Sequence, residues 1–452
     1  MRKCLAFVAA LLFFQTTHAQ QVSNADAHEA VTKLANLLTE QYPFPELSAQ
    51  YKAALLKNDA AGKYNGLTQQ ALAEKITADL QKTHKDVHLH VFVDEKRYAQ
   101  MTGGPREHGE GGGRRDSELD ELRKGNYGFK NVDIDGVTST AYINIPGPFY
   151  GTQESFEMAA SAMNMAAYSR SVILDIRSNG GGTGQMGRFL ASYFYEAGQE
   201  QYYLNGFYKD RSHDEQEWTY SYVPGKRLPN AKVYILVGRG TGSAAEGFAY
   251  AMQKLKRATI VGDTTAGAGI AGTFMALKSN LLVFLPFKMV VAPNSLVGWE
   301  GTGVIPDVTT GKEDALVATR RMILADIVKT YGSSPEGEAA QWQLEDSATH
   351  AIASSAKYAA LIGKYNNNVS ITADGDELKW NKAEPGKAVL TCVIREVKPN
   401  VLVIVDLNKN IGTFASRAYL EFDESGKLKG ITRKTLMANG TIYTSPQMFV
   451  KE

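Results

Sequence analysis

Ser243 sits where an apolar run, Val233 to Val237, meets a run of helical spacing in which Ala244, Ala245, Phe248, Ala249, Met252 and Leu255 recur. A serine at such a turn lies beside the positive end of a helix and near backbone N–H groups that the helix leaves unpaired. Both features stabilise negative charge developing near its oxygen, as acyl transfer requires. The same residues also spell Ser243-Ala-Ala-Glu246, a capping box that would merely satisfy the first N–H groups of the helix. On this stretch alone, both readings stand. A glycine run, Asn179-Gly-Gly-Gly182, is the second feature of interest. It is either a tight turn or a place where backbone comes close to a bound group.

These residues need a scaffold. The chain has 452 residues, which predicts two or three domains, and is 44% hydrophobic and 21% charged, as soluble globular proteins are. A net charge of +1 gives no reason to expect nucleic acid or an acidic membrane surface as partner. Arg2 and Lys3 precede an apolar stretch, Leu5 to Phe14, too short to span a bilayer, and Thr17-His-Ala19 offers a small-residue cleavage site. Residues 1–19 therefore read as a signal peptide, which predicts a periplasmic or secreted protein with no membrane span. Of the two cysteines, Cys4 leaves with that segment and Cys392 stands alone, so neither an internal disulfide nor a cysteine metal cluster is expected. No metal or cofactor is expected.

Residues 25–80 carry a helical pattern, with Val31, Leu34, Ala35 and Leu38 on one face and Leu72, Ile76 and Leu80 on another, broken by Pro43 and Pro45. A strand is expected at Leu89–Val93, then a glycine- and charge-rich loop over Met101–Arg115, too short to hold a peptide-binding module. From 126 to about 324, strands (Ala141–Ile145, Ser171–Ile176, Val233–Val237, Thr259–Gly262, Leu281–Pro286) alternate with helical runs (Glu154–Ala167, Gln185–Glu196), which predicts an α/β core. Beyond Tyr358, short alternating runs separated by turns predict an antiparallel β domain, a small barrel or sandwich.

Five separated motifs then carry a resemblance: Asp86-Val-His88-Leu89, Asn126-Tyr-Gly-Phe129, Val172-Ile-Leu-Asp-Ile-Arg-Ser-Asn-Gly-Gly-Gly182, Thr241-Gly-Ser-Ala-Ala-Glu246, and Trp299-Glu-Gly-Thr-Gly-Val-Ile-Pro-Asp307. In this order the chain resembles the C-terminal processing (tail-specific) serine proteases. It most resembles the branch that includes the interphotoreceptor retinoid-binding protein and its bacterial relatives, with the tricorn protease core as a more distant cousin. The resemblance implies a crotonase-like core of β-β-α units. The resemblance covers about residues 25–320, and the chain is expected to divide into a signal peptide (1–19), an N-terminal helical domain (20–95), a glycine-rich linker loop (96–125), a peptidase core (126–330), a linker (331–350) and, outside the resemblance, a C-terminal β domain (351–452). The resemblance implies Ser243 as nucleophile, with an oxyanion hole from the N–H groups of Gly181 and Ala244. Tail-specific enzymes take the serine proton with a lysine, but that position here is Ala268, and the histidine found just beyond in many relatives is replaced by Ile270. The tricorn-type arrangement leaves His88 as base and Glu300 as the carboxylate that orients it. The expectation is an exported serine peptidase acting on peptides or unfolded proteins. The alternative is a non-catalytic binder of hydrophobic ligands or peptides on a degenerate protease core.

Overall fold

The computed structural model describes residues 21–103, 119–211, 214–346, 351–405 and 416–452. The expected signal peptide and most of the glycine-rich loop lie outside the described residues.

Three helices open the chain: α1 (Asn24–Gln41), α2 (Pro45–Ala60) and α3 (Gln69–Thr83). Ser23 and Thr68 cap α1 and α3 by accepting the N–H groups of Asp26 and Ala71. The apolar faces read from the sequence are buried, but the helices do not close a core of their own. Leu34, Leu38, Leu72 and Ile76 pack with Leu281, Val283 and Leu285 of a distant strand.

That strand, β10 (Leu281–Val291), organises one sheet. It pairs antiparallel with β9 (Ile270–Ala276) along one edge and, on the other, with β1 (His90–Val93) and then β5 (Tyr202–Tyr208). The strand runs past the expected stop at Pro286, and a register shift between Pro286 and Lys288 lets the proline sit where its missing N–H costs nothing. β6 (Glu215–Trp218) extends the sheet beyond β5.

A second sheet has the order β11-β8-β7-β4-β3-β2. Its members are β2 (Asn131–Asp135), β3 (Thr140–Asn144), β4 (Ser171–Asp175), β7 (Lys232–Val237), β8 (Ala258–Gly262) and β11 (Val308–Thr309). All neighbours are parallel except β2 and β3. Parallel strands need crossovers, so both faces of the central strands are covered, and β4 is buried along its whole length. Val172, Leu174, Val233 and Ile235 point to one face, under α5 (Gln153–Met165), α6 (Gly184–Ser192) and α7 (Ser243–Lys254). Ile173, Tyr234 and Leu236 point to the other, under α8 (Ala315–Tyr331).

The C-terminal strands form a third, antiparallel sheet of nine strands. Bridges from Tyr365 to Lys451 and from Ile431 to Phe449 bring the chain end back to its first strands, around Trp380, Ile394 and Leu402. It docks on α9 (Pro335–Asp346), where Leu436 meets Trp342. Among the described residues no helix is long and apolar enough to cross a membrane, no group of side chains could hold a metal ion, and Cys392 is a buried free thiol.

Candidate active site

The parallel sheet decides where a site can form. Loops leaving the carboxyl ends of adjacent parallel strands converge over the sheet edge. β4 leads into Asn179–Gly182 and β7 into Ser243, and β4 and β7 are neighbours. A cleft of about 480 Å³ opens there, lined among others by Gly182, Ser243, Ala244, Ala268, Ile270 and Trp299. A larger recess of about 980 Å³ lies at the amino ends of the same strands, by Ser171 and Lys232, and holds none of the candidate residues.

Ser243 is the first residue of α7, after Gly242 as N-cap, and has φ of 48°. A left-handed backbone is costly for a non-glycine residue and must be held by its surroundings. Glu246 supplies part of that hold. Its carboxylate is fully buried and accepts the N–H of Ser243 at 2.8 Å. It also accepts Thr265 Oγ1 at 2.5 Å, Gly267 N at 2.7 Å and Ala268 N at 2.9 Å. The glutamate half of the capping box therefore forms, but the serine half does not. Ser243 Oγ caps nothing, and among the described residues it makes no hydrogen bond.

Gly181 lies against the serine. A Cβ there would sit 2.7 Å from Ser243 Cβ and 3.1 Å from Ala244 N, and the residue has φ of 112°. Only glycine permits that approach. The buried side chain of Asn179 fixes the turn, donating to Ile145 O at 3.1 Å and accepting Gly181 N–H at 3.0 Å. Of the two expected oxyanion donors, Ala244 N–H has no acceptor among the described residues, whereas Gly181 N–H is held by Asn179. Arg177, expected as scaffold, pairs with Asp175 at 2.7 Å and with Asp314, the cap of α8, at 2.6 Å.

His88 stands just before β1, with its ring over Phe284 of β10 at 5.3 Å between centroids, and His90 stacks on the same phenylalanine. Asp86 shapes this approach. It is buried, takes Tyr42 Oη at 2.9 Å, and accepts the N–H groups of His88 and Leu89. His88 Nδ1 is buried without a partner. Burial holds the imidazole below its usual pKa of 6.5, against the opposing pull of Asp86 and Glu246.

Glu300 is not brought onto His88. Its Oε2 accepts Gly269 N–H at 2.6 Å instead. Burial first and the charge of Asp86 second push its pKa up to about 7, against the backbone donors at Gly269 and Ile270. Among the described residues no hydrogen bond joins Ser243, His88 and Glu300 to one another. Gly267, Gly301 and Gly303 let the Trp299–Asp307 motif lie against residues 265–269, with Gly301 N on Gly267 O at 2.8 Å. Sequence reasoning passed over Glu246 as more than a cap, and over Arg188, Tyr203, Glu217 and Lys288, which also line the cleft.

With this geometry in hand, comparison with known proteins is informative. Residues 139–310 match Peptidase family S41, and residues 19–110 match the N-terminal domain of Peptidase S41 in eukaryotic IRBP. The chain belongs to peptidase family S41. This S41 chain is similar to a CtpA-like serine protease of Staphylococcus epidermidis, 30% identical over 141 residues, which are 31% of this chain and 27% of that one. It is 28% identical over 130 residues to the tail-specific protease of Haemophilus influenzae, covering 28% of this chain and 17% of that one. It is likewise 28% identical over 172 residues to the chloroplastic carboxyl-terminal-processing peptidase 3 of Arabidopsis thaliana, covering 36% and 31%. The first of these relatives is thus matched over about a quarter of its length. Among solved structures, a photosystem II D1 C-terminal processing protease aligns with a TM-score of 0.43 at 15% identity, over 63% of this chain and 93% of that one.

Proposed function

We propose that this S41 protein is an exported serine-type peptidase that hydrolyses peptides or unfolded proteins, with Ser243 as nucleophile. The observation that carries the reading is the setting of Ser243. Its backbone is held left-handed at a helix start, and among the described residues its hydroxyl is uncommitted and the N–H of Ala244 beside it has no acceptor. The parallel order of the central sheet supports a crotonase-like core. In the proposed reaction Ser243 Oγ attacks the peptide carbonyl and its proton passes to His88. The oxyanion is received by Ala244 N–H and by Gly181 N–H, for which it competes with Asn179. His88 then protonates the leaving amine, and water hydrolyses the acyl-enzyme. A neutral, partly buried imidazole suits the base, and the depressed pKa of His88 keeps it neutral at pH 7. Glu300 is assigned to holding the Gly269–Ile270 segment rather than to orienting His88.

One observation favours the second reading, a binder of peptides or hydrophobic ligands. No base is hydrogen-bonded to Ser243 Oγ among the described residues, and the positions of the relatives' bases, Ala268 and Ile270, present apolar side chains to the cleft. Treatment with a fluorophosphonate probe separates the two. Labelling that requires Ser243 and falls steeply in His88→Ala supports the peptidase. No labelling at any pH leaves the binder.

A further inference from the structure

We infer that the cleft selects substrates bearing a carboxylate close to the scissile bond, and that Arg188 is the residue that reads it. The inference rests on the peptidase reading for the word substrate, but its binding test does not. Arg188 lies on α6, the helix that begins just after the glycine turn, and lines the same cleft as Ser243. Its Nε is buried without a partner, and among the described residues no carboxylate pairs with it. The guanidinium is held in place by the ring of Tyr220, 4.1 Å from the centroid. An unpaired, partly buried cation is unfavourable until an anion arrives, and a planar guanidinium matches a carboxylate with two parallel hydrogen bonds.

The other charges of the cleft are already engaged with one another. Lys288 reaches Glu215 at 2.7 Å and Glu217 at 3.9 Å, which leaves Arg188 as the cation with nothing to hold. Two further donors line the same wall. Trp299 Nε1 is buried without a partner. Tyr203 presents its hydroxyl near Gly187, where a Cβ would lie 3.2 Å from the oxygen, and burial keeps that phenol protonated by raising its pKa well above the usual value. With Glu215 and Glu217 drawn to Lys288, the guanidinium of Arg188 and these two donors call for a ligand that brings acceptors. A peptide carrying an acidic side chain, or ending in a free carboxylate, supplies them.

The test uses four probes: the amidated heptapeptides acetyl-AAAAAAA, acetyl-AAAEAAA and acetyl-AAAQAAA, and acetyl-AAAAAAA with a free C-terminus. Their binding to the Ser243→Ala protein is measured by calorimetry. The glutamate or the free-acid peptide is expected to bind ~10- to 100-fold tighter than its neutral counterpart, the increment of charge-assisted hydrogen bonds. Which of the two gains identifies the source of the carboxylate. Arg188→Met is expected to erase the difference, and Arg188→Lys to keep part of it, in proteins whose melting temperature matches the parent. Equal binding of all four peptides, no binding of any, or a preference that survives Arg188→Met would overturn the inference. If wild-type Ser243 is not labelled by fluorophosphonate while the carboxylate preference holds, the peptidase reading fails and the anion site stands.

Discussion

The N–H of Ser243 donates to Glu246 Oε2 at 2.8 Å, and the other oxygen of the same carboxylate takes Thr265 and Gly267. One buried side chain thus joins the turn of Ser243 to the segment 265–268. Position 268 is an alanine, and its backbone N–H is held by the same carboxylate at 2.9 Å.

Glu246→Ala leaves the N–H groups of Ser243, Gly267 and Ala268 and the hydroxyl of Thr265 buried without that acceptor. Each such loss costs about 1–3 kcal/mol, and the losses do not simply add. A destabilisation on the order of 3 kcal/mol is expected in urea unfolding, with a smaller loss for Glu246→Gln, which retains one acceptor oxygen. Unfolding midpoints indistinguishable from the parent would show that the carboxylate does not organise this turn.

Gly181→Ala introduces a Cβ 2.7 Å from Ser243 Cβ and 2.8 Å from Gly242 O, at a φ of 112°. The turn must move, and the oxyanion geometry with it. Labelling of Ser243 by fluorophosphonate is expected to slow by ~100-fold or more, the cost of losing an oxyanion donor. Gly180→Ala is the control, because a Cβ there meets nothing within 4 Å. Equal labelling rates for the two variants would rule out a role for the close approach of Gly181.

Much of this was legible in the sequence. Periodicity placed α1, α3 and α7 and the parallel strands, because a buried helix or strand repeats its apolar residues at the period of its geometry. The pairing of β10 was not legible. Its register shift after Pro286 and its contacts with α1 and α3 are long-range, and no local pattern announces them. At the site, Ser243 and the glycine turn were legible because each directly follows an apolar strand, and the two strands are neighbours. The expected pairing of Glu300 with His88 spans elements far apart in sequence, and no local pattern announces that Glu300 Oε2 takes the N–H of Gly269. Arg188 carried no sequence signal, since an arginine on an amphipathic helix is ordinarily solvent-facing.

The base has a pH signature. If His88 accepts the serine proton, labelling falls as the imidazole becomes protonated. Burial places that transition below 6.5. The labelling rate should therefore rise through an inflection below 6.5 and be flat above it, and the inflection should be absent in His88→Ala. An inflection well above 6.5 would point to a different base.

Glu300 makes a separate prediction about stability. Its folded pKa of about 7 exceeds the unfolded value of 4.5, so between these pH values the folded state binds the proton that the unfolded state has lost. Stability then falls as pH rises from 4.5 to 7, and is independent of this group below that window, where both states are protonated. Solvent reaches part of the carboxylate, so the loss should be below the roughly 3 kcal/mol that a shift of this size implies in full burial. Glu300→Gln keeps an oxygen for Gly269 N–H and removes the charge that burial and Asp86 disfavour. Its stability relative to the parent should increase from pH 5 to pH 7 in urea titrations. A difference that does not vary with pH would mean that Glu300 titrates as an ordinary surface carboxylate, and that Asp86 exerts no field on it.

A buried arginine fastens the C-terminal sheet to α9, beside the apolar contact of Trp342 with Leu436. Arg417 is 3% exposed and binds Glu345 at 2.5 Å, Asp346 at 2.6 Å and Trp342 O at 2.8 Å, with its guanidinium 4.4 Å from the Trp342 ring. Removing one partner of a buried charge network strands the others, at a cost of about 3–5 kcal/mol. Arg417→Met should therefore loosen the docking of the C-terminal sheet on α9 while leaving each sheet its own core. Calorimetry is expected to resolve two unfolding transitions where the parent has closer or merged ones. Ser243 opens α7, which packs on the parallel sheet, so its labelling rate should change little below the first transition. A single transition at the parent temperature would mean that the Trp342–Leu436 contact holds the two parts together without the arginine.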